Sequence, residues 1–150
     1  MLPAASESNP QMFTCTPLPN TGTTGRRAPP HIRLIEVHDC DLDYPTICIS
    51  MHVTSVKGAP TYQAVSYTWG DESEQEQIHV KHTSSLWQKA LGFPAGCDGL
   101  MTVRKNCADV LRQVRHFKTS KYYWIDAICI NQQDVPEKND QVAKMGAIFK

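Results

Sequence analysis

Asp126 lies inside the most strand-like stretch of the sequence, YYWIDAICI, and Asn131, Gln132 and Gln133 follow just past its end. A carboxylate among tyrosine, tryptophan and isoleucine must be paired or protonated, because burying it charged and alone is costly. Such a group either accepts hydrogen bonds that fix the end of a sheet, or lines a pocket and meets a ligand. In VSYTWGD, Tyr67 and Trp69 offer faces for stacking on a flat ring, and Asp71 a carboxylate for sugar hydroxyls. Cys129 is a possible nucleophile, but no histidine is adjacent in sequence and a core thiol is the plainer assignment. His79 and His82 have H-x-x-H spacing without carboxylate support, so they read as solvated loop histidines and no metal is expected. Glu137 stands three residues after Asp134, the spacing of a capping box, and Gln141 one turn later could share its face. There is no Walker loop, G-x-G-x-x-G or G-x-S-x-G, and no cofactor is expected.

These residues need elements to position them. HIRLIEVH and TICISMHV are strand candidates on either side of a turn at 39–45, and they fit a hairpin. YQAVSYTW predicts a strand over 62–69, ended by Gly70 and Asp71 and followed by an acidic loop to residue 77. A short strand fits 78–80. In the segment 83–99, SSLWQKAL suggests a short helix and GFPAGCDG a loop. Val103, Cys107, Val110, Leu111, Val114 and Phe117 recur at spacings of three and four, the buried stripe of a helix with Thr102 as N-cap. A strand over 122–130 and a helix from residue 135 complete the pattern. Val142, Met145 and Ile148 or Phe149 form that last helix's expected buried face, and Pro136 suits its first turn. The order strand, helix, strand, helix predicts an α/β fold with a mostly parallel sheet and flanking helices. If strands 62–69 and 122–130 are parallel, Tyr67, Trp69 and Asp71 face Asp126, Asn131 and Gln132 across a crevice at their C-terminal edge.

The whole chain bounds the partners. Its 150 residues suffice for one domain, and 41% hydrophobic with 20% charged residues suits a globular protein. Fifteen basic residues balance fifteen acidic ones, without the surplus that nucleic-acid binding requires. No window is apolar enough to span a membrane. The leader 1–30 is rich in Pro, Thr, Ser, Asn and Gly and reads as disordered, without an apolar signal segment. Cys15, Cys40, Cys48, Cys97, Cys107 and Cys129 form no C-x-x-C pair and read as reduced thiols of a cytoplasmic protein. Lys150 falls within a helical pattern without a stop signal, so the domain, 31–150, is expected to be truncated at its C-terminal side.

Two motifs carry a family resemblance. YQAVSYTWGD resembles the opening motif of the fungal heterokaryon incompatibility (HET) domain, and WIDAICINQQDVPEKNDQVAKMGAIF resembles its longest one. Trp124, Ile125, Asp126, Cys129, Ile130, Gln132, Asp134, Glu137, Gln141, Val142 and Met145 all fit at their spacings, and the likeness runs from residue 62 to 150. Val65 and Cys107 stand where leucine is usual, and 83–99 resembles an insertion.

The resemblance implies an effector or signalling role in non-self recognition, leading to programmed death of incompatible fused cells. It implies protein partners or self-association. The family is also distantly similar to the Toll/interleukin-1 receptor (TIR) fold. That likeness raises one alternative, a NAD-cleaving enzyme whose catalytic group lies beyond residue 150; a separate alternative is an inactive gene fragment.

Overall fold

The computed structural model describes Leu18 and residues 30–38, 47–82 and 99–149. The expected leader, the turn at 39–45 and the helix and loop of 83–99 otherwise lie outside the described residues. Among the described residues, six strands form one sheet: β1 (His31–His38), β2 (Cys48–Ser55), β3 (Tyr62–Val65), β4 (Gln75–His82), β5 (Gly99–Arg104) and β6 (Tyr122–Ile125). The helices are α1 (Lys105–Phe117), α2 (Asp126–Cys129), α3 (Val135–Ala143) and α4 (Met145–Ile148).

The sheet runs β3-β6-β1-β2-β4-β5. It is mixed, which corrects the expectation of a mostly parallel one. β2–β4 and β3–β6 are parallel, whereas β1–β2, β1–β6 and β4–β5 are antiparallel. The expected hairpin forms, with His31 opposite Ser55 and His38 opposite Cys48. It occupies the middle of the sheet, so the parallel pairs are pushed to either side of it. α1 leaves β5 at one edge and returns the chain to β6 on the far side of the hairpin.

Several boundaries differ for local physical reasons. The strand expected over 122–130 stops at Ile125. Ile125, Ile128 and Cys129 are spaced as in a helix, and α2 buries Ile128 and Cys129 on the core in a single turn. The strand expected over 62–69 stops at Val65, and Trp69 is reached by irregular chain before Gly70, whose φ is +78°. β4 runs from Gln75 to His82, so His79 and His82 belong to a strand rather than to a loop. Thr102 lies within β5, and Arg104 is the N-cap of α1.

The stripe along α1 buries Cys107, Ala108 and Leu111, but Phe117 at its end is 69% exposed. The helix expected from residue 135 breaks at Lys144 into α3 and α4. Its buried face is rotated by one residue from the expected one. Gln141 is fully buried, whereas Val142 and Phe149 are exposed; Ile148 is buried as expected.

The core gathers Ile32, Leu34, Ile35, Ile49, Ile78, Val80, Leu111, Trp124 and Ile125 around the hairpin. Cys48 is buried and disulfide-bonded, which corrects the reading of uniformly reduced thiols; Cys107 and Cys129 are free.

His52 on β2 contacts Glu36 at 3.5 Å and meets the Tyr122 ring edge-on at 5.3 Å. Burial lowers its pKa more than Glu36 raises it, with His38 and Lys121 adding to the lowering. The unfolded imidazole, near the ordinary 6.5, therefore binds a proton before the folded one does. The associated stability is complete above that value and is lost as the pH falls from it through the lower pKa of the folded state. Denaturation midpoints followed during acidification should fall less steeply in His52→Gln than in the wild type.

Candidate functional site

β3 and β6 are parallel, with Val65 opposite Ile125, so both chains leave the sheet at one edge. Trp69 comes from the segment after β3, and its indole N–H donates to Asp126 Oδ2 at 3.3 Å. The backbone N–H of Ala127 donates to Asp126 Oδ1 at 2.8 Å, and Gln132 Nε2 donates to the Asp126 carbonyl at 3.0 Å. Tyr67 is hydrogen-bonded to the Cys107 thiol and feels the Asp126 charge. Burial is the main cause that raises the Tyr67 pKa far above that of an ordinary phenol. Burial likewise pushes the Cys107 thiol up to about 11, with the Tyr67 hydrogen bond opposing and the Asp126 charge adding to the rise.

The 66–74 segment is pinned from α1. Asn106 Nδ2 donates to the Thr68 carbonyl at 3.0 Å, and Arg104 Nη1 donates to that of Gly70 at 3.1 Å. The Arg104 guanidinium stacks 5.2 Å from the centre of the Trp69 ring and pairs with Glu72 at 2.7 Å. Gly70 is required here for two reasons. Its positive φ disfavours other residues, and a Cβ would meet Asn106 Nδ2 at 2.5 Å.

Tyr67, Trp69, Asp126 and Gln132 are therefore brought together, while Asp71 and Asn131 are not. Asp71 is exposed, and its carboxylate accepts from Ser73 N–H at 2.8 Å, a bond that lowers its pKa. The Asn131 side chain accepts from Gln133 N–H at 3.2 Å, and its own N–H donates to Glu137 at 3.2 Å.

The other motif residues fasten α3 and α4 to the sheet. Asp134 caps α3 by accepting from Glu137 N–H at 3.1 Å, as the spacing predicts. The reciprocal half of the box is absent, because the Glu137 carboxylate turns inward to form a two-pronged ion pair with Arg33. Both side chains are buried, and Arg33 Nη1 also donates to the Cys129 carbonyl at 3.1 Å. Gln141 Nε2 donates to the His31 carbonyl at 3.0 Å, and the Tyr62 hydroxyl donates to that of Ile148 at 2.7 Å. Trp124 meets the Phe149 ring edge-on at 5.5 Å, and Met145 packs against the core. Cys129 is fully buried, and that burial pushes its thiol up to about 12.

Sequence reasoning missed Arg33. The signal was a lone cation inside an apolar strand, at a position whose neighbours on both sides are buried. Neither Cys107 nor Cys129 is a ready nucleophile at neutral pH. Iodoacetamide is expected to leave Cys107 and Cys129 unmodified in the native protein and to modify both after unfolding, as read by mass spectrometry. Among the described residues, no group of three or more His, Cys, Asp or Glu could hold a metal, and no helix is long and apolar enough to cross a membrane.

Comparison with known proteins adds the family. The family model described as "Heterokaryon incompatibility protein (HET)" matches residues 62–150, more than half of the chain. The chain is similar to "Heterokaryon incompatibility protein 6, OR allele" of Neurospora crassa, with 28% identity over 121 residues. That alignment covers 79% of this chain and 17% of the relative's length. No solved structure matches.

Proposed function

From the premise that this chain belongs to the heterokaryon incompatibility family, we propose that it is an effector module of non-self recognition. It signals through protein contacts, with copies of itself or with partners, and its output is programmed death of incompatible fused cells. The setting of the proposal is the cytoplasm, the compartment that fused cells share. The partners are proteins rather than nucleic acids, in keeping with fifteen basic and fifteen acidic residues.

The observation that carries this reading is the use to which the Asp126 carboxylate is put. Each of its oxygens accepts a hydrogen bond from within the chain, and Arg104 stacks on the Trp69 ring that the carboxylate holds. The polar groups fix and shape a surface segment, 66–74, which is what an interaction module requires.

Asp126→Asn tests it. The amide keeps the shape but weakens the bond to Trp69, and a loss of about 1–3 kcal/mol in stability is expected. Loss of cell-death signalling should accompany loosening of the 66–74 segment, read as faster amide exchange there. A variant that keeps wild-type exchange, stability and killing would remove the basis of the proposal.

A further inference from the structure

The segment 66–74 is fastened to two different parts of the sheet. Trp69 ties it to Asp126, just after β6. Asn106 and Arg104 tie its Thr68 and Gly70 carbonyls to the start of α1, and the Lys105 N–H donates to the Glu74 carbonyl at 2.9 Å. β3 and β6 make up the first part, and β1, β2, β4 and β5 the second. The ladder between the parts is short. β1 pairs with β2 along its whole length, from His31 to His38, but meets β6 at one pair, Ile35 opposite Tyr123.

His52 spans this join. It belongs to β2, yet its ring meets Tyr122 of β6 edge-on at 5.3 Å and so reaches across β1. Its Nε2 stops 3.5 Å from Glu36 Oε2, whereas a charge-assisted hydrogen bond closes to about 2.8 Å. β1 also contributes His38, which is hydrogen-bonded to Ser50. Lys121, next to β6, has its ammonium 5.3 Å from the centre of the Tyr122 ring. β4 places His79 and Lys81 opposite Cys48 and Ser50, on the face that His52 shares. Among the described residues, Glu36 is the one carboxylate acting on the ring. A neutral imidazole rests on the tyrosine without cost. A charged one is drawn to Glu36 on β1 and repelled by Lys121 beside β6.

We propose that protonation of His52 loosens β6 from β1 and so frees the 66–74 segment, which makes this contact surface responsive to mild acid. The segment yields because it is fastened on both sides of the join. A shift of β6 against β1 stretches the Trp69–Asp126 bond at one end while Arg104 and Asn106 hold the other. Burial is the main cause that keeps the ring neutral in the closed arrangement, opposed by Glu36 and aided by His38 and Lys121. The inference rests on the reading of 66–74 as a contact surface and adds its regulation.

Amide exchange tests it, corrected for the intrinsic rate and followed from about pH 7.5 to about pH 4.5 while the ring-proton signals of His52 report its titration. In the wild type, protection of 66–74 and of 122–125 should fall several-fold as His52 takes up its proton, while that of β4 and β5 holds. His52→Gln should keep its protection over the same range. Glu36→Gln should move the midpoint of the fall to lower pH, because the carboxylate that favours the charged ring is gone. Lys121→Gln should move it to higher pH, because a cation that disfavours that ring is gone.

Protection that holds at 66–74 while His52 titrates, a fall that persists in His52→Gln, or a fall shared equally by β4 and β5 would each overturn the inference. So would midpoints that do not move in opposite directions in the two charge variants. None of these measurements uses killing as a readout, so their failure is distinct from a failure of the effector reading, which Asp126→Asn tests.

Discussion

Glu137→Ala is expected to lower the unfolding free energy by about 3–5 kcal/mol, the cost of leaving a buried charge without its partner. Arg33 is 1% exposed and Glu137 8%, so neither is compensated by water when the other is removed. The loss approaches the whole stability of a marginal domain, about 5–15 kcal/mol. The control is Arg33→Met/Glu137→Leu, which replaces the pair by apolar groups of similar length. That chain should recover most of the loss, because two charges no longer need to be desolvated. Denaturant titration of the wild type, both single variants and the double variant closes the cycle. A Glu137→Ala chain as stable as the wild type would show that the pair does not hold α3 to β1.

Trp124→Ala should cost about 3–5 kcal/mol, the usual range for emptying an aromatic core position. Trp124 is fully buried on β6 opposite Ala64 and packs edge-on against Phe149. Among the described residues its indole N–H meets no acceptor. Trp124→Phe therefore discards an uncompensated donor while keeping most of the ring, and should cost well under half of the alanine loss. Urea midpoints of the two variants give the comparison. An alanine variant within about 1 kcal/mol of the wild type would place the indole outside the packed core.

The hairpin, the parallel approach of β3 and β6, and the meeting of Trp69 with Asp126 were legible because each follows from local pattern. Alternation gave β1 and β2, and shared direction put the ends of β3 and β6 on one edge. What misled was the assumption that apolar runs continue as they begin. YYWIDAICI starts with strand-like residues, and its switch to helical spacing falls at Asp126, where periods of two and of three to four both fit. The mixed sheet was not legible, since the placing of the hairpin between β6 and β4 is decided by contacts far apart in sequence. The role of Glu137 was half legible. Its backbone obeys the capping rule, but its carboxylate answers to Arg33, 104 residues away. Gln141 was read only as sharing the face of Glu137, and its burial was not legible because it depends on the amide reaching the distant His31 carbonyl.

The position of β1 in the sheet also has a consequence for how the chain emerges from the ribosome. β1 has β2 on one side and β6 on the other, and its Arg33 waits for a carboxylate 104 residues later. At about 5–20 residues per second, that wait lasts about 5–20 s. Until Tyr122–Ile125 emerges, the β1 edge of the nascent hairpin is unpaired, and until Glu137 follows, Arg33 lacks that carboxylate. Such an edge pairs readily with other strands. The first hairpin is thus the segment that a nascent-chain chaperone would have to shield, and the arrival of Tyr122–Ile125 and then of Glu137 marks the interval over which that shielding can end.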